Sequence, residues 1–137
     1  MARIKYDINL IKYISLFESI TQVKVKDCIS NGRLTFIVHE GDLGKAVGKK
    51  GANAKMLENV IRKRIRMVEF SSEVTEFIKN LIYPINAREI AEKNGIVMIT
   101  AGDVGSKGML IGRDRQNLVE LKSIVTRHFH VEDIKIL

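Results

Sequence analysis

Gly48-Lys49-Lys50-Gly51 is the stretch of this chain best equipped to hold an anion. Glycines have no Cβ, so another polymer's backbone can come close to the main chain beside them. Lys49 and Lys50 add mobile positive charge, and Lys45 and Lys55 lie on either side. The residues that follow, from Ala52 and Asn53 onward, begin a helical pattern. A helix N-terminus presents unpaired amide N–H groups and a partial positive charge. Such an arrangement coordinates phosphate without transforming it. A glycine pair at this spacing is common by chance at a usage of about 7%. The surrounding elements must therefore decide between a phosphate cradle and a solvated basic helix start.

Those elements occur twice. "YDINLIKYISLFESI" puts Leu10, Tyr13, Ile14 and Phe17 on one helical face, with Asp7 placed to cap the start. "SSEVTEFIKNLIYP" repeats the spacing with Val74, Phe77, Ile78 and Leu81 before Pro84 stops it. "TQVKVKDCIS" alternates Val23 and Val25 with Lys24 and Lys26, the period of a half-buried strand, and Asn31-Gly32 offers a tight turn into a second strand, "RLTFIVHE". In the second half "NAREIAEK", Asn94-Gly95 and "IVMITA" take the same places, although "NAREIAEK" also reads as a helical turn. "GDLG" and "GDVG" then open short apolar stretches that end at Gly48 and Gly112. A longer amphipathic helix follows each. Its predicted buried stripe is Met56, Leu57, Val60, Ile61 and Ile65 in the first, and Leu118, Leu121, Ile124 and Val125 in the second. A short strand closes each half. The expected class is α+β: two domains, 1–70 and 71–137, each ordered helix–strand–strand–helix–helix–strand. A unit this small is near the lower limit for folding alone. With no Gly/Ser-rich linker at the junction, the two are expected to pack in a fixed orientation.

Charge separates the halves. Residues 1–70 hold 14 basic and 7 acidic side chains, a net of +7; residues 71–137 hold 9 and 9, a net of zero. A polyanion should be gripped mainly by the first half, although an acidic protein or a membrane surface would also answer to charge alone. Other chemistries find little support. The spacing G-x-x-x-x-G-K-[ST] of an NTPase phosphate loop is missing. "RHFH" is poor geometry for joint metal ligation, and Cys28 reads as a buried thiol in a strand. No nucleophile–base pair or catalytic carboxylate pair is spaced for work. No enzyme, no metal and no cofactor are expected. There is no long apolar run and no signal-like N-terminus, so a cytoplasmic protein is the expectation.

"AVGKKGANAKMLENVI" resembles the G-x-x-G loop and following helix of a KH domain, a module that clamps about four nucleotides of single strand. The element order is that of the bacterial-type, or type II, KH fold. A tandem pair with almost nothing added is similar to the archaeal NusA-like family of transcription factors. The resemblance implies RNA backbone at Gly48, Lys49, Lys50 and Gly51, with Asn53 in the first turn beyond. Bases would lie in the groove beside the helix from Ala52 and the strand carrying Leu34, Phe36 and Val38. Lys45, Lys55 and Arg33 become candidate flanking phosphate contacts, each of which could equally be a solvated surface charge. The implied role is transcription elongation or termination, with single-stranded RNA and RNA polymerase as partners, no membrane, and a monomeric chain. A protein–protein adaptor on polymerase or ribosome, or a KH protein of ribosome assembly, are the alternatives.

The second copy departs from the motif. "IGRDRQN" has Gly112, Arg113, Asp114 and Arg115: the second glycine is gone, and Asp114 brings an anion to the place of phosphate. Asp114 is suited to cap a helix beginning at Arg115, and approach to the backbone should be restricted. Arg113 and Arg115 remain candidates for weaker side-chain contacts. This half is expected to be a weaker binder, or a scaffold that orients the first.

Overall fold

In the computed structural model, which describes residues 7–31 and 33–137, the chain divides into two units between Ser71 and Ser72. The first is ordered α1 (Ile8–Thr21), β1 (Val25–Asn31), β2 (Arg33–Val38), α2 (Leu43–Val47), α3 (Ala52–Ile61), β3 (Ile65–Glu69). The second runs α4 (Val74–Ile82), β4 (Ala87–Lys93), β5 (Ile96–Ala101), α5 (Val104–Ile111), α6 (Gln116–Thr126), β6 (Asp133–Ile136). A single 3-10 turn separates the paired helices in each, at Lys49–Gly51 and Arg113–Arg115.

Each unit is built on a three-stranded sheet, β1-β2-β3 and β4-β5-β6. The first two strands are antiparallel, and the third runs parallel to the central strand, with Leu34 beside Ile65 and Val97 beside Ile134. A parallel pair cannot be closed by a tight turn and needs a crossover. The crossover is the helix pair, so the loop between the helices lies midway along it. The register of the first strand slips at the same place in both units, between Val25 and Asp27 and between Ala87 and Glu89.

Local chemistry explains most element ends. The Asp7 carboxylate accepts from the Leu10 N–H at 2.8 Å, capping α1. Glu18, further along that helix, accepts from the Val25 N–H at 2.8 Å and ties β1 to it. Asn94 (φ 54) and Gly95 (φ 80) make the β4–β5 turn with two positive-φ residues, as this hairpin type requires. In the turn expected at Asn31-Gly32, Gly32 lies outside the described residues. "NAREIAEK" is strand β4, despite its poor strand formers. Pairing with β5 overrides its local preference.

Leu34, Phe36 and Val38 of β2 join Phe17, Val23, Cys28, Ala46 and Leu57 in the core of the first unit, with Phe17 and Phe36 stacked at 4.4 Å between ring centroids. Burial of each large side chain among them contributes about 1.5–3 kcal/mol. Cys28 is a buried thiol, as its place in a strand suggests. In the second unit Val97, Ile99 and Ala101 alternate inward from β5, and Leu118, Leu121, Ile124 and Val125 are all buried, as the periodicity of α6 predicts.

The stripe predicted for α3 needs correction. Leu57 is fully buried, but Met56 and Val60 are 51% and 54% exposed. Ile65 belongs to β3, because Arg62 adopts φ 61 and ends the helix, its N–H donating to the Glu58 carbonyl. The buried face of α3 is therefore narrower than its apolar period suggests.

Candidate nucleic-acid interface

The loop between α2 and α3 is rich in positive-φ residues. Gly48 sits at φ 80, ψ 169, Lys50 at φ 55, ψ 28 and Gly51 at φ 74, ψ 18. The first of these is in a region essentially closed to residues with a Cβ; the other two are in the ordinary left-handed basin. Space adds a second constraint at Gly48. A Cβ there would lie 2.9 Å from both Cγ and Nδ2 of Asn53 and 3.0 Å from its backbone nitrogen. A Cβ on Gly51 would meet nothing within 4 Å. Gly48 is thus required by the inside of the loop, whereas Gly51 leaves an open approach on the outside.

Asn53 explains why Gly48 is so tightly covered. From the first turn of α3 its side-chain amide reaches back and donates to the Lys45 carbonyl at 3.2 Å. The Gly48 N–H donates to the Gly44 carbonyl and the Gly51 N–H to the Gly48 carbonyl, both at 3.1 Å. Asn53 therefore latches α2 to α3 and holds the loop between them. One N–H of its amide is committed to this bond, which positions the loop.

Lys49 and Lys50 are exposed at the tip, Lys45 is exposed on α2, and Lys55 is exposed in the first turn of α3. The N-cap residue Gly51 offers no side chain to the first amides of α3. Uncapped helix amides near four ammonium groups are an arrangement suited to phosphate. Arg33 stands elsewhere. It opens β2, and its neighbour Leu34 donates its N–H to the Arg64 carbonyl at 3.1 Å. Arg33 is consequently at the end of α3 away from the loop, about 15 Å along a ten-residue helix. Leu34, Phe36 and Val38 are all fully buried. Their side chains serve the core.

The second loop has the same path. Gly112 is at φ 76, ψ 172, Asp114 at φ 54, ψ 30 and Arg115 at φ 63, ψ 18. Asn117 repeats the latch, donating to the Met109 carbonyl at 2.7 Å, and a Cβ on Gly112 would come within 2.6 Å of its Cγ. One expectation is corrected here. Asp114 makes no cap: it lies in the 3-10 turn, the helix begins at Gln116 after Arg115, and no side chain caps it. The loss of the second glycine has also not redirected the backbone, since Arg115 occupies the left-handed basin that Gly51 occupies. What differs is chemical. Arg115 puts a side chain where Gly51 has none, and Asp114 stands where Lys50 does. Arg113, Asp114 and Arg115 are all exposed.

Sequence reasoning passed over Arg62, Lys63 and Arg64. All three are exposed, immediately after α3. Their signal was the run "RKRIR" itself, visible only as part of the charge excess of the first half.

A KH-domain family model matches residues 11–81. Among curated proteins, the probable transcription termination protein NusA of Methanocaldococcus jannaschii is 31% identical, over 100% of this chain and 77% of that protein. The probable transcription termination protein NusA of Halococcus morrhuae is 26% identical, over 98% of this chain and 99% of its own. Among solved structures, the crystal structure of APE1850 is similar with a TM-score of 0.73 and 32% identity, covering 96% of this chain and 100% of that one.

Proposed function

We propose, from the premise that the chain belongs to the KH-domain family of archaeal NusA-like proteins, that it binds single-stranded RNA during transcription elongation or termination. Its two units, 1–70 and 71–137, are read as tandem type II KH domains, and the Gly48–Gly51 loop of the first carries the main grip. The transcriptional role rests on the relatives, which bear the name of a probable transcription termination protein. RNA polymerase is the partner that role would bring.

The observation that carries the binding site is the contrast between the two glycines of the first loop. Gly48 is enclosed by Asn53, while Gly51 faces open space beside Lys49, Lys50 and the start of α3. A sugar-phosphate backbone can approach Gly51 without meeting a side chain, and its phosphates then reach the first amides of α3 and the ammonium groups of Lys49 and Lys50. Lys45 and Lys55 extend the same field. Asn53 supports the site by holding its shape. No group here is placed to activate a nucleophile or transfer a proton, and the proposal is for binding alone.

The second unit is read as the weaker partner. Its loop has the same backbone, but Asp114 repels phosphate, Arg115 covers the open side, and the unit as a whole has no net charge. Contacts there fall to the side chains of Arg113 and Arg115.

The deciding experiment is a Lys49→Asp, Lys50→Asp variant of the full chain, titrated with single-stranded RNA over a range of salt. Removing one phosphate contact lowers the slope of log K against log salt by roughly 0.7. For two lysines the expected fall is about 1.4, with a large drop in affinity. Unchanged binding and slope would reject the loop as the clamp and favour a KH fold used as a protein adaptor. The same titration on single-stranded DNA separates recognition of the 2′-OH from phosphate binding alone.

A further inference from the structure

The end of α3 away from the loop carries its own concentration of positive charge. Arg62, Lys63 and Arg64 connect α3 to β3, and Arg33 begins β2 beside them: the Leu34 N–H donates to the Arg64 carbonyl at 3.1 Å, and Leu34 is in register with Ile65. All four side chains are exposed. Among the described residues none forms an ion pair with them. Glu58, one turn back on α3, turns its carboxylate to the Ile65 N–H at 3.2 Å, closing the connection. Lys63 lies over the ring of Tyr13 at 5.6 Å, which holds one of the four cations against α1.

The second unit provides an internal comparison. Where Leu34 faces Ile65 in the first, Val97 faces Ile134 in the second. The residues corresponding to Lys63 and Arg64 are therefore Glu132 and Asp133, and Ile96 stands in the place of Arg33. Glu132 closes the connection by donating its N–H to the Gly95 carbonyl at 2.7 Å, and Asp133 is bridged to Lys122 at 3.2 Å. The connection is three residues long in the first copy and six, 127–132, in the second, and the two residues before the matched isoleucine change from basic to acidic. Cations at these positions are therefore not needed to start the third strand, which leaves those of the first unit available to a ligand.

The geometry points to Arg62, Lys63 and Arg64, with Arg33, as a second phosphate-binding patch that takes the same RNA strand after it leaves the Gly48–Gly51 loop. The inference rests on the reading that the loop binds single-stranded RNA. The two patches stand at opposite ends of α3, about 15 Å apart along ten residues. A strand of about four nucleotides, the length a KH loop clamps, engages the loop; a longer one reaches both ends. Guanidinium groups suit the far patch because each can take a phosphate through two parallel N–H bonds. Affinity should then rise with RNA length beyond the loop's own site.

The test uses the full chain and its Arg62→Gln, Arg64→Gln variant, in which only exposed side chains change and the Arg64 carbonyl keeps its bond. Each protein is titrated across salt with an oligoribonucleotide of about four nucleotides and one roughly twice that length. A Lys79→Gln, Lys93→Gln variant, neutralising two exposed lysines of the second unit, controls for bulk charge. The expected result is a salt slope smaller by about 1.4 on the longer RNA, from two contacts of roughly 0.7 each, with little change on the shorter. The control should leave both unchanged. An unaltered slope on the longer RNA, or an equal fall in the control, overturns the second patch. Failure of the loop reading would appear separately, as undiminished binding of the short RNA by the Lys49→Asp, Lys50→Asp variant.

Discussion

The side-chain amide of Asn53 donates to the carbonyl of Lys45 at 3.2 Å, crossing over Gly48 and leaving no room for a Cβ there. Asn117 makes the equivalent bond to Met109 at 2.7 Å, over Gly112. The latch is the constant part of the two loops. The residues on the outer side of it are the part that varies.

Gly48→Ala and Gly51→Ala should therefore differ, although the two glycines look equivalent in the motif. At Gly48 the substitution forces a glycine-only conformation and displaces Asn53, at a cost of about 1–3 kcal/mol from the backbone alone. At Gly51 the left-handed basin is strained by about 1–2 kcal/mol with no clash, and Arg115 already occupies the matching position at φ 63. Urea unfolding of both variants will show the larger destabilisation for Gly48→Ala. RNA titration will show that Gly51→Ala weakens binding more than its stability cost explains.

The second loop should accept repair. Asp114→Lys with Arg115→Gly gives it the sequence Gly-Arg-Lys-Gly on a backbone that already has the required angles. The change removes an anion and opens the covered side, so RNA affinity should rise several-fold at low salt. One additional phosphate contact would steepen the salt slope by roughly 0.7. An unchanged affinity would mean that the second unit stays away from RNA whatever its loop contains.

Exposure on α3 predicts an asymmetric core. Leu57→Ala opens a cavity beneath the helix and should cost about 2–5 kcal/mol, whereas Met56→Ala, at an exposed position, should stay within about 0.5 kcal/mol. Thermal or urea unfolding of the two variants distinguishes them. Equal destabilisation would restore the wider stripe that periodicity alone suggests.

Asp103 caps α5. The Ser106 backbone N–H, donating to it at 2.6 Å, holds its carboxyl below the ordinary value of 3.8, and the Ser106 hydroxyl adds to the effect. A carboxylate whose folded pKa is depressed contributes stability above the unfolded value, and that contribution is lost as pH falls through the folded one. Asp103→Ala should therefore lower the urea midpoint near neutral pH, with the gap to the parent narrowing in strong acid. Asp103→Asn keeps a good cap without a charge, so it should retain most of the stability and flatten the acid limb. A gap that widens on acidification would contradict the cap's charged role.

Much of this molecule is written in short-range patterns. The duplicated element order, the stripe of Leu118, Leu121, Ile124 and Val125, the Asp7 cap and the Asn94-Gly95 turn are each decided by residues a few positions apart. The loop between the helices was legible for the same reason, as was the concentration of positive charge in the first half. β4 was harder to read because Ala87, Glu89 and Lys93 do not prefer strands, and pairing with β5 supplies what local preference lacks.

The amino-acid sequence by itself determined the module, its repetition and the charge that separates the copies. Tertiary structure decided which glycine is indispensable, what Asn53 does, which apolar residues of α3 face outward, and where Arg33 stands. The crossover between β2 and β3 is the physical reason. It folds α2 back on α3, bringing the Lys45 carbonyl to Asn53, and it returns the chain to the start of β2, setting Arg64 beside Arg33. Periodicity records which residues are alike along one element. Only the closed crossover makes neighbours of residues on different ones.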